Sequence, residues 1–481
     1  MRCSSNLLGR TMIVLLLMPS LVLASGFKLS GVGPVGLSIG GGGANAFITD
    51  WSSIYWNPAA LAYSRPHTAN IGLTNVLPFS EYQPQTGILG YDGPYSMREK
   101  VRTKYQEFLI PSLGFTFGSV GPLDGTGFAL FVPFGLGTSY DLYDPPIGYY
   151  LSYDPDSFAP PQFPKYDWES SIQVVAAWVG VAKEVSNGLS IGLAAGPTFA
   201  SMKFRKVKFI DPALIDTQAA RLPIQYRLFP IDTYIEGKST SFGLGFGIRY
   251  EPVEKLTIGF SGHYYLPVEL NGDAAAALYL PRNDTLVSMA GDDPNVALMF
   301  SGQVMESRGT FDATFKLPYD ISLGLAYEVS PKLLIGLGAE YTFHSVFDIV
   351  EAEFEDLSIM EQPIERDTIK AYWKNTLKLS AGAQWKLGGA HLRFGVYYEG
   401  SPIPDSTFTP LIPDTGDKLS FNIGSDLQIT RNLTLFAHYE YIYMPDKEVA
   451  RDADYSYLSP NMPGKYAANV NAVTLGLGYA F

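Results

Sequence analysis

The residues best suited to acid–base or metal chemistry are the five histidines, His67, His263, His344, His391 and His438, and their spacing supports neither. No two lie four apart, as a pair of metal ligands on one helical face requires, and no Gly-x-Ser-x-Gly elbow offers a nucleophile. Cys3 is the single cysteine, so neither a disulfide nor a thiolate metal site can form within the chain. Gly40 to Gly43 has the glycine content of a phosphate loop but lacks the following Lys and Ser or Thr. The sequence therefore reads as a non-enzyme with no metal and no cofactor. Two cations invite another role. Lys378 and Arg393 could meet a carboxylate through charge-assisted hydrogen bonds, or be held structurally by Glu340, Glu440 or the N-terminal segment.

Strands must position these groups. From His67 onward the sequence returns repeatedly to period-two alternation. In the last strand Val473, Leu475, Leu477, Tyr479 and Phe481 share one face, while Ala472, Thr474, Gly476, Gly478 and Ala480 share the other. The same parity puts Lys378, Arg393, Glu340, Glu440, His263, His344 and His438 on the small or polar face. Short turns recur near Gly121 to Asp124, Ser186 to Gly188, Pro252 to Glu254, Ser330 to Lys332, Leu387 to Gly389 and Thr430 to Asn432. Long polar, Pro-rich or acidic segments separate them, at 78–106, 142–167, 206–235, 271–305, 348–370, 401–416 and 445–467. Six short turns alternating with seven long loops require fourteen strands. Short periplasmic turns, long outer loops and an even strand number are the pattern of an outer-membrane barrel. Its strands should run for about 9 to 18 residues.

Composition agrees. Only 17% of residues are charged while 14% are aromatic, and 48 Gly with 34 Pro disfavour long helices. A net charge of −13 argues against nucleic-acid binding. Arg2 and Arg10 precede an apolar stretch and a small-residue exit at Ala24, the layout of a cleaved signal peptide over residues 1–24. Residues 25–66 are rich in Gly and Ala and suit a compact insert inside the lumen, which leaves 67–481 for the barrel. The terminal Phe481 resembles the signal read by the outer-membrane assembly machinery.

The insert carries a resemblance. Ser25-Gly26-Phe27, the small-residue stretch and Trp51-Ser52-Ser53-Ile54-Tyr55-Trp56-Asn57-Pro58-Ala59-Ala60-Leu61 resemble the N-terminal hatch of FadL-type long-chain fatty-acid transporters, with Asn57, Pro58 and Ala59 matching the hatch motif. Trp373-Lys374-Asn375, Arg393, Gly395, Ser401-Pro402-Ile403-Pro404, Ile412-Pro413-Asp414 and Gly464-Lys465-Tyr466 follow in the family's order. The resemblance implies an all-β fold, a 14-stranded antiparallel transmembrane barrel plugged by a hatch. It further implies a monomer in the outer membrane of a Gram-negative bacterium. Hydrophobic small molecules, fatty acids or hydrocarbons, would be captured by outer loops 3 and 4 and held in an internal pocket. They would leave passively, sideways into the membrane lipids, near a kinked third strand.

Candidate site residues follow from both readings. Pro133 in the third strand has no N–H for a ladder and Gly135 tolerates unusual angles, so Pro133, Phe134 and Gly135 mark either a lateral opening or a bulge without one. Leu228 and Phe229 in the third long loop, and Leu298 and Phe300 in the fourth, are apolar beyond what exposed loops need; they form a capture groove or pack on each other. Phe27 and Leu29 join them, with Lys378 and Arg393, as substrate-binding candidates. Two rival functions remain, a general porin for polar solutes and a surface adhesin or receptor.

Overall fold

The computed structural model describes residues 26–85, 96–97, 100–144, 163–210, 229–280, 282–289, 294–359, 362–412, 415–451 and 461–481. The expected signal peptide and Leu228 lie outside the described residues, as do Ser25, Pro413 and Asp414.

Fourteen membrane-crossing strands close into one antiparallel barrel. They are β1 (Thr68–Pro84), β2 (Phe108–Thr116), β3 (Gly125–Tyr140), β4 (Trp168–Ser186), β5 (Leu189–Ile210), β6 (Phe229–Val253) and β7 (Leu256–Tyr265). The second half comprises β8 (Tyr319–Ser330), β9 (Leu333–Phe343), β10 (Thr376–Leu387), β11 (Ala390–Glu399), β12 (Lys418–Gln428), β13 (Leu433–Val449) and β14 (Gly464–Ala480). Neighbours in sequence pair in space, and β1 meets β14 in an unbroken register from Thr68↔Ala480 to Pro84↔Gly464. Closure leaves no long unpaired edge at this seam, where bare backbone groups facing hydrocarbon would be costly. Among the described residues no helix is long and apolar enough to cross a membrane, so the strands make the crossing.

Alternation sorts the two faces. Ile321, Leu323, Leu325 and Tyr327 of β8 and Val473, Leu475, Leu477 and Tyr479 of β14 are exposed to the outside, whereas Ser261, Thr342, His438 and Thr474 are buried inward. The six expected short turns all connect strands at one rim, and Gly188 and Gly388 hold their tight corners with φ of 72° and 63°. At the other rim the expectation of polar loops is corrected. The 271–305 segment contains strand, since Val268–Tyr279 and Val304–Phe315 pair from Val268↔Phe315 to Tyr279↔Val304. Small residues from Ala274 to Ala277 allow that close pairing. β6 likewise runs to 25 residues, beyond the expected 18, because its upper half pairs with these extramembrane arms.

Residues 26–66 fill the barrel. Three one-turn helices, α1 (Pro34–Ser38), α2 (Ala44–Phe47) and α3 (Ser53–Trp56), precede a 3-10 turn at Pro58–Tyr63. None is long enough to be stable alone, so packing must hold them. Ile39, Ile54, Leu61, Trp51 and Tyr55 are almost completely buried, and the three aliphatic side chains contribute roughly 1.5–3 kcal/mol each.

Candidate functional site

The plug is seated by absence of side chains on the wall. Each strand from β2 to β12 carries an inward glycine against which a hatch atom rests: Gly114, Gly125, Gly180, Gly192, Gly247, Gly259, Gly324, Gly336, Gly382, Gly395 and Gly424. A Cβ on Gly180 or Gly382 would stand 2.7 Å from Leu61 Cδ1 or Ile39 Cβ, and at Gly247 it would overlap the Asn57 side chain. The seats follow the hatch around the lumen, from Ser38 at β12 through Asn45 at β8 and β7 to Leu61 at β4 and β3. On β14 and β1 the glycines Gly72, Gly476 and Gly478 meet neighbouring strands and not the hatch, and Glu440, Thr474 and Thr74 of this sector border a cavity.

Asn57, Pro58 and Ala59 form the tightest clamp. The Asn57 amide donates to the carbonyls of Asn45 at 2.7 Å and Ile248 at 2.9 Å, while its oxygen accepts from Ala59 N at 3.1 Å. That last bond caps the 3-10 turn, and Pro58 occupies its first position, where no donor is needed.

The wall is incomplete at one place. β2 pairs with β1 along its whole length, but with β3 only from Thr116↔Gly127 to Leu113↔Leu130. Bonding resumes where Lys104 N donates to Ser139 O at 2.8 Å. In between, the β3–β4 register slips between Phe131 and Phe134, at the position of Pro133. Backbone groups freed there find the hatch: Leu29 N donates to Pro133 O at 3.0 Å and Gly135 N donates to Phe27 O at 2.9 Å. Three residues of the N-terminal segment thus replace a missing ladder partner on the inner side of β3.

A cavity of about 310 Å³ adjoins this gap. Its lining runs from Leu29 to Gly33 of the hatch, past Thr74 and Val76 of β1 and Ala472 of β14, to Val132 and Gly135 of β3. Every residue from Glu107 to Ser112 also lines it. Since consecutive strand residues point to opposite faces, inward and outward residues of β2 both border the cavity. The Phe108 ring lies across the gap, where a side chain on Gly137 would be.

Polar groups cluster at the inner end. Lys28 Nζ contacts Asp320 at 2.8 Å and Glu340 at 2.7 Å, all three largely buried. His263 joins through Asp320 at 2.9 Å and the carbonyl of Tyr55 at 2.6 Å. Ser30 donates to Glu440 at 3.0 Å, and Tyr397 and Ser420 also donate to that carboxylate. Lys378 donates to the carbonyl of Ser30 at 2.7 Å and lies 4.4 Å from the centre of the Tyr397 ring. Lys378 therefore ties the hatch down. Arg393 is apart from the cavity, paired with Asp426 at 2.5 Å and Gln384 at 2.7 Å; neither Glu340 nor Glu440 is its partner.

Phe27 sits in an aromatic cage made by Phe134, Phe347 and Trp373, with ring centres 5.1–5.7 Å away. Phe229 and Phe300 meet edge to face at 6.1 Å and both are buried, while Leu298 packs at the margin of the same core. Lys28 escaped notice in the sequence, although it is the sole charge between residues 26 and 49. That isolation was its signal.

Residues 15–481 match the family described as Outer membrane protein transport protein (OMPP1/FadL/TodX). A Pseudomonas aeruginosa FadL homologue superposes with a TM-score of 0.71 at 18% identity, covering 95% of this chain and 100% of that one. The P. putida toluene transporter TodX gives 0.66 at 14% identity over 94% and 99%, and the CymD monoaromatic hydrocarbon channel 0.60 at 15% over 95% and 99%. NMB0088 of Neisseria meningitidis serogroup B is 22% identical over 218 residues. That match spans 44% of this chain and 44% of the curated relative, less than half of either.

Proposed function

The chain belongs to the outer membrane protein transport family (OMPP1/FadL/TodX), whose members are outer-membrane transport proteins and not enzymes, and on that premise we propose passive uptake of hydrophobic small molecules through a lateral exit. Solute is captured between outer loops 3 and 4, near Phe229, Leu298 and Phe300. It then occupies the cavity beside Leu29 and Phe27 and leaves between β2 and β3 at Pro133, Phe134 and Gly135. Membrane lipid receives it, so no energy source is consumed. The protein acts as a monomer in the outer membrane of a Gram-negative cell, after cleavage behind Ala24.

One observation carries this reading. The cavity is bordered by inward and outward residues of β2 at the stretch without β2–β3 ladder bonds, while glycines on the strands from β2 to β12 seat the plug. Straight passage would have to unseat that plug, whereas sideways passage leaves it in place. The same seating counts against a general porin. An adhesin role concerns the outer loops alone and can coexist with uptake.

The test is a block at the gap. The atoms nearest a Cβ at Gly135 would be Leu29 side-chain carbons, at 3.7–3.9 Å, so a side chain can start there without backbone overlap. In cells relying on this protein for labelled oleate or toluene, Gly135→Trp should cut uptake at least tenfold with assembly unchanged. Undiminished uptake by the assembled variant, or large ion conductance of the intact protein in planar bilayers, would overturn the proposal.

A further inference from the structure

A second cavity, of about 210 Å³, opens above the membrane on the sheet made by β5, β6 and the arms Val268–Tyr279 and Val304–Phe315. Register sets Arg205, Tyr234, Ala275 and Arg308 in one cross-strand row and Asp232, Ala277 and Glu306 in the next. Parity assigns both rows to the face that lower down exposes Leu193, Phe199, Phe242 and Leu244 to lipid. The cavity is therefore outside the barrel wall and separate from the transport route.

Its height is set by the strand. Arg205 is six residues above lipid-facing Phe199, so at about 3.3 Å per residue and a tilt near 40° the cavity stands roughly 15 Å above the lipid-facing band. At that level the outer leaflet presents the sugars of its glycolipids, not their acyl chains.

The chemistry fits a sugar ring. Two guanidinium groups and two carboxylates cancel in formal charge, which favours neither a phosphate nor a cation. Arg205 Nε stands 3.5 Å from Asp232 Oδ1, and both atoms are buried without a hydrogen-bond partner. A hydroxyl placed beside the pair can bridge both atoms, donating to the carboxylate and accepting from the guanidinium. Glu306 and Arg308 repeat the pairing of acceptor and donor across the alanine floor, as neighbouring hydroxyls of one ring require. Tyr234 supplies an apolar face to the ring's C–H groups, positioned by Arg205 at 5.0 Å from its centre. The volume lies below the roughly 300–1,000 Å³ of pockets for drug-sized ligands and suits a single ring.

We propose that this cavity is a saccharide site taking one neutral sugar ring with adjacent hydroxyls, supplied by a surface glycolipid headgroup or a free oligosaccharide. Calorimetry on the purified full-length protein tests it with three probes: rough lipopolysaccharide, its deacylated core oligosaccharide, and lipid A stripped of core sugars. The first two should bind and the third should not. Equal affinity for the first two identifies sugar alone as the ligand; tighter binding of the intact glycolipid identifies a headgroup site. Asp232→Asn and Arg308→Ala should each weaken oligosaccharide binding at least tenfold, and Ala275→Trp should abolish it, with hydrophobic-solute uptake and heat-modifiable gel mobility unchanged. Failure of the oligosaccharide to bind, binding of lipid A as tight as intact lipopolysaccharide, or undiminished binding by folded variants would overturn it.

Discussion

The wall from β2 to β12 and the sector formed by β13, β14 and β1 treat the same plug in different ways. The first carries on every strand a glycine against which the hatch packs, so bare wall backbone there receives hatch backbone or a hatch side chain directly. In the second, side chains reach the hatch singly, as Glu440 does to Ser30, and space remains for a cavity that continues to the β2–β3 gap. Rigidity and passage are thus assigned to different arcs of one barrel. Close packing tolerates almost no added volume, while a cavity keeps it free.

Breaking a buried charge cluster should have the largest effect on this division. Lys28→Met leaves Asp320 and Glu340 without their cation and should cost about 3–5 kcal/mol, the usual loss when one member of a buried pair is removed. Urea unfolding in liposomes would measure it, and Lys28→Met combined with Glu340→Gln should recover part of the loss. A loss below 1 kcal/mol would mean the cluster is not holding the hatch.

Gly247→Leu attacks the seat itself. Overpacking of about 1–3 kcal/mol should loosen the plug and raise sensitivity to large antibiotics. Gly389→Ala, with no atom within 4 Å of the new carbon, is the matched control and should be silent. Equal phenotypes would mean that the seat at Gly247 does not hold the plug.

Asn57→Ala removes the clamp on Asn45 and Ile248 and should cost about 1–3 kcal/mol through unsatisfied buried groups, read in the same urea assay.

The smallest effect is a pH dependence outside the membrane. Asp167, just before β4, accepts from Leu142 N and Tyr143 N at 2.7–3.1 Å, and burial pushes its carboxyl up to about 8. A folded value above the unfolded one means stability present in acid and lost as pH rises through about 8. Proteolysis near Leu142 should therefore quicken as pH rises from about 4 to 8 and level off above that, and Asp167→Asn should flatten that profile.

Strand number, turn positions and the inward facing of Lys378, Glu340, Glu440 and His263 were all legible in the sequence, because alternation and turn chemistry are local. The break at Pro133 was legible for the same reason: a missing donor is a property of one residue. What was hidden depends on pairs far apart. Nothing near Lys28 announces Asp320 or Glu340, and nothing near Arg393 announces that Asp426, one strand away, is its partner. Inward glycines looked merely small until the hatch was seen against them. The arms at 268–279 and 304–315 were concealed by loop-like composition, since their pairing comes from β6 and from each other.

The route of the hatch around the lumen has a kinetic consequence. Ser38 is seated by Gly424 on β12, and Ile39 by Gly395 and Gly382, so the beginning of the chain waits for strands made near its end. Contacts of such sequence separation are slow to form, because loop closure precedes their reward. Refolding should show barrel closure, read by gel mobility, ahead of plug docking, read by Trp51 and Trp56 fluorescence. Glycine-seat variants should lengthen that second phase alone. The plug would then be the last part of the molecule to arrive, although it is synthesised before every strand of the barrel.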